Sequence, residues 1–501
     1  MRSYSMYTAL ALAWVVLGAA AAPQPVVRGP VAASATALID VDSRALPVIP
    51  QSFLGLSHEW PYVEEMSTQP KYMDLLNYLA SFGGGPVSVR VGGGSTDAQD
   101  FVPSPEVWQS LADLHRGTGS KLIIGINLES GDTDLALKQA EAAKAALPAG
   151  SILAFEIGNE PNFYNNKTSK SWQGDVRTTS GETYIECCFW TDWENTAKKL
   201  ACPTPDNCAA TADFAGPAWG HVNVRPSTIN WFLNVNGKYV GLVTVHWYKA
   251  TMETPNTAVT LLDDAPMRKE MANLKTLVGV AQKYGKPLRV AEMNSISNSG
   301  RDGVSNVFAS ALWTLDAAFE VAATGAVGIN LHQGAGQNLY SALIRWYDSA
   351  NNVRPVGVRP VFYGMVMLQR ALGRGAQLLP AAMSGASEGV KVWPLWAGMD
   401  KQLRVVIINK RPTEAVNVTL AVAKPGGWGP ASILRLTAGG PAPLEAKHSI
   451  TVGGVYFNEK AEKVGTQSVE RVLRGSKDGK LTWTIYMPQA SAALVAIQRL
   501  Y

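Results

Sequence analysis

The sequence predicts a (β/α)8 barrel over residues 50–372, followed by an antiparallel β-sandwich domain over residues 373–501. Three observations predict it. Eight short apolar runs recur along the first part of the chain, with helix-period segments between them. Two of these runs, the fourth and the seventh, end in a glutamate, Glu160 and Glu292. A parallel barrel brings such distant strand ends together, because all its strands finish on one face. Beyond Leu372 the helical period gives way to short alternating runs separated by Gly/Pro turns.

The expected barrel strands are Phe53–Glu59, Val87–Gly93, Lys121–Asn127, Ala154–Glu160, Asp213–Trp219, Leu242–Tyr248, Pro287–Asn294 and Gly325–His332. Helical periodicity marks Tyr72–Ala80, Ser104–Gly117, Leu135–Ala146, Glu182–Leu200, Pro266–Tyr284, Val304–Ala323 and Val358–Leu372. Ser104 before Pro105 has the pattern of an N-cap followed by a first-turn proline. In the C-terminal part, strands are expected at Val390–Leu395, Gln402–Ile408, Ala415–Val422, Ala431–Leu436, Ser449–Val452, Leu481–Met487 and Ala492–Gln498. Residues 23–49 are mixed and proline-containing, and are expected to add strands to that later domain.

Residues 1–22 read as a secretory signal. Arg2 supplies the positive start, Tyr7–Leu17 the apolar segment, and Ala20-Ala21-Ala22 a small-residue cleavage site before Pro23. The expected location is therefore extracellular, with no stable membrane insertion after cleavage. At 47% hydrophobic and 17% charged residues, the chain can bury a large core. The net charge of +4 is dispersed, with no basic run longer than a pair such as Lys198-Lys199, so no nucleic-acid partner is expected. All four cysteines lie within Cys187–Cys208. Cys202 and Cys208 flank a short loop and can bridge in an oxidising compartment. Cys187 and Cys188 would sit roughly 20 Å from Cys202 along a straight helix, too far to pair with it. No histidine shares the cysteine spacing, so no metal site is expected, and no cofactor is called for. Asn166 and Asn417 begin glycosylation sequons. Gly92-Gly93-Gly94 follows a strand but lacks both the dinucleotide fingerprint and the lysine of a phosphate-binding loop.

Two carboxylates flanking one bond are the equipment for glycoside hydrolysis. One donates a proton to the leaving oxygen, and the other attacks the anomeric carbon or activates water. The acid needs neutral, partly dry surroundings, whereas the nucleophile needs donors that keep it ionised. Asn159 stands beside Glu160, and Arg90 and Tyr248 at other strand ends are candidate donors to Glu292. Glu156 lies mid-strand, deeper than Glu160, and is expected to pair with Arg90 or another buried cation. His58, His246 and His332 fall near strand ends, where a histidine is more often a hydrogen-bonded rim residue than a catalyst.

The phrases VRVGGGSTD, FEIGNEP, HWY and AEMNS, in this order, resemble glycoside hydrolase family 79. That family holds β-glucuronidases and heparanase, within a clan of retaining (β/α)8 glycosidases. The likeness covers about residues 50–370. It implies that Glu160 is the acid/base, Glu292 the nucleophile and Asn159 the amide contacting the sugar 2-hydroxyl. It further implies that Glu59 holds the outer hydroxyls, and that Gly336 and Tyr340 receive a glucuronate carboxylate through backbone N–H and phenol donors. Tyr248 joins the substrate-binding set. Gly94-Ser95 stands where heparanase-like sequences carry Thr-Lys, Leu339 separates Asn338 from Tyr340, and Ser297 replaces a tyrosine of some bacterial members. The chain also lacks heparanase's excised segment after strand one, which implies a single-chain enzyme.

The expectation is thus a secreted retaining β-glycosidase acting on β-glucuronides of glycans or glycoconjugates. Two other readings share the sequence: a retaining enzyme for a neutral sugar such as a xyloside or glucoside, and a catalytically silent glycan-binding protein.

Overall fold

A computed structural model describes residues 33–166, 189–204, 214–334, 338–347, 353–423 and 427–500. Among these, eight strands close into a parallel barrel: Leu54–His58, Ser88–Val91, Leu122–Ile126, Ile152–Ile157, Phe214–Trp219, Val240–Ala250, Leu288–Ile296 and Ile329–Gln333. The last strand pairs in parallel with the first and closes the ring. Most of these strands are buried along their whole length, because side chains fill the barrel inside and helices cover it outside. That is why they read as continuous apolar runs rather than alternating ones.

The outer ring includes Pro70–Ala80, Pro105–Thr118, Thr133–Ala146, Phe189–Ala201, Pro226–Asn236, Asp264–Lys283, Phe308–Ala323 and Pro360–Leu372. Ser104 does occupy the N-cap position with Pro105 in the first turn, but its side chain makes no capping hydrogen bond. Helices Trp60–Ser67 and Pro226–Asn236 were not foreshadowed by the periodicity. Neither was the antiparallel pair Leu343–Tyr347 and Val353–Val358 after the eighth strand.

The base of the barrel holds a buried cation, Arg289. Its guanidinium donates to Asn330 Oδ1 (2.6 Å), Ser88 Oγ (2.5 Å) and the Ile329 carbonyl (2.9 Å). Gly328 makes room for it, since a Cβ there would lie 1.9 Å from Arg289 Nη1.

Two further sheets form the second domain. The larger runs, in order, through Ile450–Val452, Trp428–Ala438, Ser491–Arg499, Gln402–Asn409, Val390–Ala397, Ala376–Leu378 and Val48–Ile49. The smaller runs through Ala381–Gly385, Ala33–Ile39, Val416–Val422, Lys480–Met487 and Gly475–Lys477. Along Gln402–Asn409, Leu403, Val405 and Ile407 face the smaller sheet, while Val406 and Ile408 belong to the core shared with the barrel. The larger sheet is therefore buried on both sides. Residues 33–39 and 48–49 belong to these sheets although they precede the barrel. Ala33–Ile39 runs parallel to Val416–Val422, so the smaller sheet is mixed rather than wholly antiparallel.

The domains are joined by buried charge as well as apolar contact. Lys410 Nζ lies 2.5 Å from both Asp264 Oδ1 and Asp316 Oδ2, on two barrel helices. Trp393 also donates to Asp316, at 2.8 Å. Cys202 is disulfide-bonded. Cys187, Cys188 and Cys208, like residues 1–22, lie outside the described residues. Asn166 ends the 3-10 turn Pro161–Asn166, and Asn417 lies in a strand, partly exposed. Among the described residues, no helix is long and apolar enough to cross a membrane.

Candidate active site

The C-terminal rim of the barrel opens into a cavity of about 990 Å³, with Glu59, Asn159, Glu160, Tyr248, Glu292 and Tyr340 all on its wall. Gly336 lies outside the described residues.

Glu160 follows a strand that ends at Ile157, three residues earlier than the apolar run implied. Gly158 (φ 79°) and Glu160 itself (φ 50°) then turn the chain. A left-handed backbone at a non-glycine residue costs roughly 1–2 kcal/mol and persists where neighbours hold it. Here the Glu160 N–H donates to the Ala218 carbonyl (2.8 Å). Asp97 holds the turn from below. Its carboxylate accepts from the backbone N–H groups of Leu128 (2.9 Å), Glu129 (3.1 Å) and Asn159 (2.8 Å), and from the Tyr164 hydroxyl (2.5 Å).

Glu292 sits deep in the seventh strand. Tyr248 donates to its Oε1 (2.7 Å), and Arg90 Nη1 donates to its Oε2 (2.7 Å). Arg90 is fully buried and has further partners: Glu156 through Nε (2.5 Å), Asn159 through Nη2 (2.9 Å) and Ser57 through Nη1 (3.0 Å). One guanidinium thus ties together strands one, two, four and seven. Burial opposes its charge, but Glu156 and Glu292 outweigh that and hold it protonated. Burial would also raise the Glu292 pKa. The charges of His332, His246 and Arg90 and the Tyr248 hydrogen bond overcome this and hold it well below the usual carboxylate range.

The two glutamates face each other. One oxygen of each, with a ring nitrogen of His246, all lie within 4.8 Å of one another. His246 Nδ1 is 2.9 Å from Glu160 Oε1 and 3.9 Å from Glu292 Oε2. That nitrogen can accept from a protonated Glu160 or donate to an ionised one, so it suits both states. The environments differ: the Glu160 side chain is 25% exposed toward the cavity, against 9% for Glu292. These three residues match the ligand count of a metal site. Both Glu292 oxygens already accept hydrogen bonds, one of them from a buried guanidinium whose positive charge opposes a cation there.

Glu59 is aimed by the loop after the second strand. Its carboxylate accepts from the backbone N–H groups of Gly94 (3.1 Å) and Ser95 (2.8 Å) and from the Ser95 hydroxyl. Gly93 (φ 99°) is required there, because a Cβ would fall 2.3 Å from Glu59 Oε1. His332 bridges the acids, 3.5 Å from Glu59 Oε1 and 3.7 Å from Glu292 Oε2. Burial lowers its pKa, but Glu292 and Glu59 together raise it above the ordinary histidine value. Tyr340 is buried, with its ring centroid 6.0 Å from those of both Tyr248 and His332. Asn294 Nδ2 fixes its backbone by donating to the Tyr340 carbonyl (3.3 Å).

Sequence reasoning did not assign Ser95, Asp97, His246 or His332 to this site. The period-two spacing of His246 and Tyr248 was the available signal, since it puts both on the inner face while Trp247 packs outward on Trp313.

A closed parallel barrel carrying two facing glutamates at its C-terminal rim defines a glycosidase. No protein-family model matches the chain. It is 23% identical over 520 residues to a β-glucuronidase of Aspergillus niger, across 91% of this chain and 92% of that protein. Over 279 residues it is 28% identical to a β-glucuronidase of Neurospora crassa, covering 53% of this chain and 47% of that one. Among solved structures, a 4-O-α-L-rhamnosyl-β-D-glucuronidase from Fusarium oxysporum 12S superposes with a TM-score of 0.73. That match spans 92% of this chain and 99% of the other at 18% identity, a likeness of fold.

Proposed function

We propose that this chain is a retaining β-glycosidase of the family 79 kind that hydrolyses β-glucuronides. The observation that carries the mechanism is the approach of the Glu160 and Glu292 oxygens to within 4.8 Å. Retaining enzymes hold their carboxyls about 5–5.5 Å apart, and inverting enzymes need about 6.5–9.5 Å to admit a water. Glu292, ionised and buried, attacks the anomeric carbon while Glu160 protonates the leaving oxygen. Glu160 then takes a proton from water, which displaces the sugar from Glu292.

For the sugar, support comes from the two β-glucuronidases at 23% and 28% identity and from the polar side of the cavity. Glu59 is oriented to accept from outer hydroxyls. Tyr340 adjoins the same space with a phenol donor for a uronate, and so does His332, whose charged form Glu292 and Glu59 favour against burial. The test is a set of chromogenic glycosides that share an aglycone and differ at carbon five: glucuronide, glucoside and xyloside. The glucuronide is expected to be turned over fastest by a wide margin. Turnover of only the glucoside or xyloside would overturn the sugar assignment. Affinity for glycans without any turnover would overturn the enzymatic one.

Export is part of the same proposal, and rests on the composition of residues 1–22. Amino-terminal sequencing of protein from culture medium should start near Pro23. Retention of the full chain inside the cell would refute it.

A further inference from the structure

The acid/base residue marks which end of the cavity receives the leaving group, because it must reach the glycosidic oxygen. Around Glu160 the wall changes character. Phe163 stands three residues on, in the turn Pro161–Asn166, with its N–H donating to the Glu160 carbonyl at 2.9 Å. Its side chain lines the cavity and is 48% exposed. His221 meets it edge to face, with ring centroids 6.2 Å apart at 69°. Gly220 lets this wall close on the acid. A Cβ there would fall 2.5 Å from Phe163 Cε2 and 3.0 Å from Glu160 Cδ. Asn162 Oδ1 pins the same segment by accepting from the Gly220 N–H (2.8 Å). The aromatic pair is therefore held in register with the acid rather than left loose on the surface.

Charge separates the possible occupants further. Among the described residues lining the cavity, Glu59, Glu160, Glu270 and Glu292 are acidic, and Lys249 is the one lysine or arginine. Its ammonium donates to the Asp263 carbonyl at 2.5 Å. Among the described residues of this wall, a leaving group bearing sulfates would meet more carboxylates than lysine or arginine side chains.

We infer that Phe163, backed by His221, is the platform for the leaving group, and that this group is uncharged and presents a flat apolar face. An aryl ring and the C–H face of a neutral sugar both have that chemistry. The inference rests on Glu160 as the acid/base but not on which sugar is cleaved.

The experiment measures kcat/KM for three substrates sharing the glycone that the wild-type enzyme turns over fastest. They carry a methyl, an aryl and a neutral glycosyl leaving group. In Phe163→Ala, the aryl-to-methyl or glycosyl-to-methyl ratio should fall about tenfold, the scale set by uncovering one aromatic face. Phe163→Trp should keep both ratios near wild type, and Phe163 is exposed enough that neither variant threatens the core. A fall confined to the aryl arm assigns the platform to aromatic leaving groups, and a fall confined to the glycosyl arm assigns it to sugars. Unchanged ratios in both arms overturn the inference, as does a wild-type preference for a sulfated over a neutral glycosyl leaving group. If the best glycone is glucose, the glucuronide reading falls while these ratios still decide the platform.

Discussion

Tyr248 donates its hydroxyl to Glu292 across 2.7 Å, on the oxygen that Arg90 leaves open. The phenol is one of the forces that hold the carboxylate ionised against burial. In Tyr248→Phe the Glu292 pKa should rise, so the acidic limb of kcat/KM should move to higher pH. Losing one hydrogen bond to a charged group costs about 1.5–3 kcal/mol, or roughly tenfold to over a hundredfold. A pH–rate profile checks this, and an unmoved acidic limb would contradict it.

The two glutamates should separate by chemical rescue. Glu292→Ala should abolish turnover on every substrate, since no covalent intermediate can form. Glu160→Ala should keep activity on good leaving groups, which need little protonation, and azide should accelerate it. NMR of early hydrolysis should show the β-anomer first. An α-anomer would overturn the retaining mechanism, and azide rescue with retained configuration in Glu292→Ala instead would reverse the two roles.

His332 gives the basic side of the profile. Its pKa is raised in the folded protein, so its contribution is fully present below the unfolded value of about 6.5 and is lost as pH rises through the folded value. Glu292 runs the other way: its pKa is depressed, so its contribution is present above about 4.3 and is lost as pH falls through the folded value. Melting temperature followed against pH should fall at both ends. In His332→Gln the decline above about pH 6.5 should flatten, and the acidic decline should shrink but persist, because Arg90 and Tyr248 still hold Glu292 ionised.

Tyr340 tests the sugar. Tyr340→Phe should impair glucuronide hydrolysis about tenfold or more, beyond its effect on glucoside hydrolysis, if the phenol donates to the uronate. Stability should change little, because the ring still packs beside Tyr248 and His332. Equal losses on both sugars would move Tyr340 away from the carboxylate.

Lys410 tests the domain junction. Lys410→Met leaves Asp316, itself fully buried, without its cation. Breaking a buried pair from one side costs about 3–5 kcal/mol. Calorimetry should show a clear drop in melting temperature, and the double variant Lys410→Met/Asp316→Asn should recover part of it.

The barrel was legible because burial on both faces writes itself as unbroken apolar runs, and strand-end Glu160 and Glu292 stood out against them. Helix Pro226–Asn236 was hidden because Ile229, Phe232 and Leu233 are interleaved with three asparagines and a threonine. Ser95 and His332 escaped for another reason. Their value lies in reaching Glu59 from two distant places, the loop after the second strand and the end of the eighth strand, and such contacts have no local pattern. Arg289 is similar: near the start of an apolar strand, it declares nothing until Asn330 and Ser88 are seen around it.

The parallel pairing of Ala33–Ile39 with Val416–Val422 has a consequence for synthesis. The strand made first finds its partner only after the whole barrel has left the ribosome, which at about 5–20 residues per second takes roughly twenty seconds or more. During that interval the apolar face of Ala35, Ala37 and Ile39 has no sheet to join. The barrel is thus translated as an insertion within the smaller domain. A chain cut after Leu372 would release a barrel with an orphan strand at one end and the uncovered outer face of Phe319 at the other. Expression of the barrel alone would therefore have to leave out residues 33–39 as well.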